Sequence, residues 1–141
     1  TTNFTNGVSS YGVPVLPGKG FTTGKVWFVS SLVGLDGNNG KSKDRPLATL
    51  NAAVAKCTAN KGDVIYLMPG HNEDIGDTST TGAIDLDVVG ISVIGLGTGP
   101  LQPKFDFNHA DSDFIVGANS VTIENVHFQA TVTGVKLGVA I

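Results

Sequence analysis

Short apolar segments recur along the second half of this chain at a nearly constant interval. Val64 opens one ("VIYLMP"), Val93 lies in the next ("ISVIGLG") and Ile123 in a third ("VTIENVHFQ"), 29 and 30 residues apart. A period of roughly 20 to 50 residues marks chains in which each unit hides its apolar face only by stacking on the next. Between these segments lie shorter ones, "AIDLDV", "KFDFN", "DFIVGA" and "GVKLGVAI". Several short strands per repeat, with a bend after each, is what a parallel β-helix coil requires, with inward Val, Ile, Leu and Phe stacking from coil to coil. The composition agrees: the 19 glycines are roughly twice the usual share of about 7%, and glycine supplies the positive-φ positions that tight bends need. The expected fold is mainly β, a parallel β-helix.

The end of such a stack exposes sheet edges and an open core, so the segment before the first full coil matters. In "PLATLNAAVAKC", Leu47, Leu50, Val54 and Cys57 fall at i, i+3, i+7 and i+10, with Ala53 on the same face. This spacing predicts a core-capping helix at about 47–58. Thr49 or Asp44 caps its start, Pro46 suits the first turn, and Asn60 or Gly62 ends it. "GDVIYLMPGH" is then the first full rung beneath the lid, with Pro69-Gly70 as the bend. Ahead of the helix stand a strand, "KVWFVSS", and the loop "GLDGNNGKSKDRP". That loop carries Asp36, Asn38 and Gly40 at alternate places, as a calcium loop does. It lacks the closing Glu and holds Lys41, Lys43 and Arg45, so it reads as a plain turn.

Residues 1–24 differ from the remainder, holding no acidic residue and a single lysine. Phe4, Val8, Tyr11, Val13, Val15 and Leu16 keep neither a helical nor a strand period for long. Such a segment closes no core of its own, yet it carries more large apolar side chains than a purely solvated tail. The expectation is an extended N-terminal arm (1–24) that orders against another protein, followed by the β-helix domain (25–141). After Lys136 the chain runs "LGVAI" without a charge or a cap. The stack is therefore expected to continue past Ile141, or to be covered there by another subunit.

The totals exclude several functions. A net charge of −3 and a pI of about 5.4 provide no basic field for phosphates, which argues against nucleic acid as a partner. No apolar run approaches the roughly 20 residues needed to span a bilayer, and "TTNFTNGVSS" does not have the pattern of a signal peptide, so no membrane partner is expected. A lone cysteine, Cys57, permits neither an intrachain disulfide nor a cysteine-based zinc site and reads as a buried, inert thiol. His71, His109 and His127 have no metal-ligand spacing; His71 is expected to bond backbone at the Pro-Gly corner and His127 to face outward. No Gly-x-Ser-x-Gly elbow occurs, and "GLGTGP" lacks the Lys-Ser/Thr of a phosphate loop. No cofactor, metal or catalytic residue is expected. The carboxylates open to a glycan-cleaving role are Asp85 and Asp87, which share a strand face, with Asp106, Asp111, Asp113 and Glu124 in adjacent repeats. Outward aspartates also simply keep one side of a sheet wet, and that is the reading adopted.

The run from Val26 to Ile75, with its "DGNNGKS" loop, Pro-Leu-Ala-Thr-Leu helix start and "GDVIYLMPGH" rung, resembles the opening of right-handed parallel β-helix proteins of the pectin-lyase-like class. The arm "TTNFTNGVSSYGVPVL" is similar to the N-termini of tailed-phage virion proteins. These resemblances imply a non-enzymatic structural protein on the virion, a capsid decoration protein or head fibre. Phe4, Val8, Tyr11, Val13, Val15 and Leu16 would anchor it to the major capsid protein or another virion protein. They also imply a homotrimer, with host surface glycan as a further partner. A tailspike-type polysaccharide depolymerase using Asp106 and Asp113, or a glycan-binding adhesin, is the alternative.

Overall fold

The computed structural model describes residues 22–76, 83–135 and 139–141, together with the backbone of residues 9–10 and 13–14. Near the N-terminus, β1 (Ser9–Ser10) and β2 (Val13–Pro14) pair antiparallel. Then come β3 (Val26–Val29) and a short helix, α1 (Leu50–Val54). Beyond it lie β4 (Val64–Leu67), β5 (Asn72–Ile75), β6 (Ile84–Asp85), β7 (Ser92–Gly95), β8 (Lys104–Phe107), β9 (Phe114–Ile115), β10 (Thr122–Glu124), β11 (His127–Ala130) and β12 (Val139–Ala140). Apart from the β1–β2 pair, every pairing between these strands is parallel. They form three sheets with the orders β10-β7-β4-β3, β11-β8-β5 and β12-β9-β6. From β4 onward the chain visits the first, second and third sheet in that order, three times over. The protein is thus mainly β with parallel sheets.

All three sheets turn one face to a common core. Trp27, Val29, Ile65, Leu67 and Val93 come from the first sheet, Ile75, Phe105 and Phe107 from the second, Ile84 and Phe114 from the third. Partly buried Phe128 packs on Phe105 and Phe114, with the three ring centroids 5.0–6.0 Å apart, the separation at which offset and edge-on aromatic pairs attract. The helix closes the β3 end of this core. Leu47, Leu50 and Ala53 are fully buried and Val54 nearly so, while Cys57 is half-buried. Each buried leucine contributes roughly 1.5–3 kcal/mol.

The lid is shorter than its periodicity predicts, five residues in place of about twelve. Leu47 precedes it and bridges in parallel to Val29. Thr49 is the N-cap, its hydroxyl accepting from the Ala52 N–H. Asp36 supports the same start: Oδ1 accepts from the Ala48 and Thr49 N–H groups and Oδ2 from the Thr49 hydroxyl. The "DGNNGKS" loop is therefore a helix-start clamp. At the other end, i→i+3 bonds from Lys56 and Cys57 tighten the chain. Buried Asp63 then takes the Thr58 N–H on Oδ2 and the Lys25 N–H on Oδ1. A carboxylate that holds two distant N–H groups in the interior outcompetes further helical turns, whose side chains would face water.

Register corrects the spacing read from sequence. Val93 stands against Ile65, not Val64, whereas the Val93–Ile123 equivalence holds. A slip of one residue exchanges the two faces of a strand. All four residues of β4 are buried, so hydrophobicity carries no mark of which side faces the core. "VTIENVHFQ" is also two strands on two sheets. Asn125 makes the corner at φ 54°, its amide donating to the Gly95 and Gly97 carbonyls at 2.9 and 2.8 Å.

Candidate functional site

The corner after "GDVIYLMPGH" holds the most completely buried polar side chain near the lid. His71 has no exposed surface. Its Nδ1 accepts the Ser31 N–H at 3.0 Å, so the ring proton lies on Nε2, which faces Glu73 Oε2 at 3.2 Å. The same Glu73 oxygen accepts the Leu50 N–H, the first of α1, at 2.9 Å. One imidazole and one carboxylate thus tie the loop after β3, the β4–β5 bend and the lid together. The backbone bond expected of His71 is present, and the ring is sealed from any substrate. His109 sits exposed in a turn, its Nδ1 accepting the Asp111 N–H. His127 faces solvent on β11, as its alternation predicts.

The outer face of the second sheet collects polar groups in two rows. Parallel register aligns Asn72, Lys104 and His127 in one row and Asp74, Asp106 and Gln129 in the other. Asp106 is 8% exposed. Its Oδ2 accepts from Gln129 Nε2 at 2.9 Å, and its Oδ1 is buried without a hydrogen-bond partner. Asp74 stands next to it across one strand spacing, about 4.8 Å.

This adjacency separates the residues that the glycan-cleaving alternative would pair. Asp106 lies on the second sheet, whereas Asp113 precedes β9 of the third, its carbonyl accepting the Ile84 N–H. Asp85 and Asp87 are exposed and flank buried Leu86, in keeping with a wetted sheet face, and Glu124 belongs to the first sheet. The carboxylate that register does bring beside Asp106 is Asp74, which hydropathy could not reveal. β5 reads Asn-Glu-Asp-Ile, and a strand whose side chains are mostly polar gives no alternation to detect. Its only sequence signal is position, one bend after the Pro-Gly corner.

The outer face of the first sheet is apolar near the lid. Val64, Tyr66 and Ile94 are buried although they face away from the core, beside Val26, Phe28 and Leu96. Phe28 and Tyr66 rings lie 5.8 Å apart, and burial pushes the Tyr66 phenol above its usual range. Leu32, Val33, Leu35 and Leu101, by contrast, are 56–70% exposed. Leu32 and Leu101 both approach Gly70, so these two side chains meet at the Pro-Gly corner. Cys57 donates to the Ala53 carbonyl at 3.3 Å. Burial first, and the charge of Asp63 second, push its thiol up to about 12, against a smaller opposing effect of Lys25, so it is protonated and unreactive at neutral pH.

Among the expected anchoring residues, Phe4, Val8, Tyr11, Val15 and Leu16 lie outside the described residues, and of Val13 only the backbone, in β2, is described. The chain next to that segment is fixed: the Thr22 hydroxyl donates to the Gly62 carbonyl and also accepts the Gly24 N–H. Among the described residues no three His, Cys, Asp or Glu side chains gather as metal ligands, and no helix is long and apolar enough to cross a membrane. No protein-family model, curated protein or solved structure matches this chain.

Proposed function

We propose that this chain is a structural component of a tailed-phage virion. It is built as a right-handed parallel β-helix, attached to the capsid through residues 1–24 and projecting outward as a decoration protein or head fibre. The observation that carries this reading is the polarity of the stack. The segment after the arm leads into β3, the edge strand of the first sheet, at the end that α1 closes. The last strands, β10, β11 and β12, form the opposite edge. An anchor at the covered end and growth of the sheets away from it is the arrangement a displayed fibre module needs. Exposed Leu32 and Leu101 at the Pro-Gly corner supply apolar surface for a neighbouring chain, in keeping with a homotrimer on the particle.

Deleting residues 1–20 tests the anchor. The truncated chain should keep its far-UV circular dichroism and lose co-sedimentation with purified virions. A truncated chain that still decorates particles overturns the assignment. Incubation with capsular or lipopolysaccharide glycans separates the enzymatic alternative: new reducing ends or unsaturated products would identify a depolymerase, and retention without cleavage an adhesin.

A further inference from the structure

We propose that Asp74, Asp106 and Gln129, aligned on the outer face of the second sheet, bind a hard divalent cation, calcium foremost. Register makes Asp106 the middle member of the row. Gln129 takes one of its oxygens through the amide nitrogen, which leaves the Gln129 amide oxygen as a donor on the same row. The other oxygen of Asp106 is buried with no partner, and the residue aligned with Asp106 on the neighbouring strand is Asp74. A buried carboxylate oxygen left unpaired is costly, and two like charges directly opposite on neighbouring strands add to that cost. The basic residues of this face, Lys104 and His127, belong to the other row, and among the described residues neither aspartate makes an ion pair with them.

A cation between the strands answers both costs at once. It meets the unpaired oxygen and neutralises the pair. The donors are two carboxylates and an amide oxygen, with neither sulfur nor imidazole in the row, and an all-oxygen set selects calcium or magnesium over zinc or copper. Exposed Asp74 leaves room for water to complete the coordination. Calcium tolerates such an irregular mixed shell better than magnesium does. Three protein oxygens place the affinity in the weak class, with a dissociation constant of roughly 0.1–1 mM.

The test uses the full chain, stripped with EDTA and dialysed, and reads its melting temperature against added CaCl2, with NaCl at matched ionic strength as the control. A saturable rise is expected, about 4 °C at ten times the dissociation constant, with a smaller rise in MgCl2. Asp74→Asn, at an exposed position, should fold as wild type and lose most of the calcium response; Asp106→Asn should lose it too. Isothermal titration with CaCl2 should give one site in wild type and none in Asp74→Asn. An equal response to CaCl2 and to matched NaCl overturns the proposal, as does an undiminished calcium response in Asp74→Asn.

Discussion

Replacing His71 by alanine tests what holds the lid to the stack. The ring accepts the Ser31 N–H, faces Glu73 and packs edge-on against Phe105 at 5.7 Å between centroids. Its removal leaves the Ser31 N–H without an acceptor beside a fully buried site, a loss of about 2 kcal/mol. The bond to Glu73 adds about 1 kcal/mol, and the lost aromatic contact about 1 kcal/mol more. The sum is about 4 kcal/mol, a large part of the roughly 5–15 kcal/mol that keeps a domain folded. At about 2 kcal/mol per molar urea, the unfolding midpoint at pH 7 should fall by about 2 M with an unchanged slope. Two further variants divide the effect. In His71→Asn, the amide oxygen falls close to the place of Nδ1 and keeps the Ser31 bond, so about half the loss should return. Glu73→Gln keeps an acceptor for both the Leu50 N–H and the imidazole and should cost only about 1 kcal/mol. A midpoint shift below about 0.5 M for His71→Ala, or an asparagine variant no more stable than the alanine one, would refute the reasoning.

At the corner that splits residues 121–129 into two strands, Asn125→Ala removes both carbonyl partners and keeps a Cβ at positive φ. It should cost about 3 kcal/mol by urea unfolding, and Asn125→Gly should recover about 1 kcal/mol of that. Native Cys57 should react with iodoacetamide at pH 8 about a thousandfold more slowly than in urea, because a thiol raised from 9.0 to about 12 holds correspondingly less thiolate. The same shift favours the protonated folded form, so its stabilising effect is complete below pH 9 and is lost as pH rises through about 12. Tyr66, also raised, acts in the same sense, so Cys57→Ala should flatten the alkaline decline in urea midpoint without abolishing it. At the helix start, Asp36→Ala frees three donors that water then reaches, which should lower the melting temperature by about 3 °C in scanning calorimetry, and Asp36→Asn by less.

Local chemistry wrote several parts of this molecule directly into its sequence. The apolar runs of β3, β4, β7 and β8 are legible because inward residues must be hydrophobic. The lid is legible because Leu47, Leu50, Ala53 and Val54 share one face, although its true length depended on Asp36 and Asp63, which act from outside the helix. The outward placement of His127 and of the Asp85–Asp87 pair follows from alternation alone. Parallel pairing works otherwise, since its partners lie far along the chain and no neighbouring residue records them. Only the tertiary structure could set Ile65 against Val93, recruit polar β5 as a strand, or break "VTIENVHFQ" at Asn125. It also decided the two polar arrangements of most consequence. His71 became a sealed joint because Ser31 and Glu73 converge on it, and Asp74 came to stand beside Asp106 because two strands separated by a whole circuit of the chain lie one spacing apart.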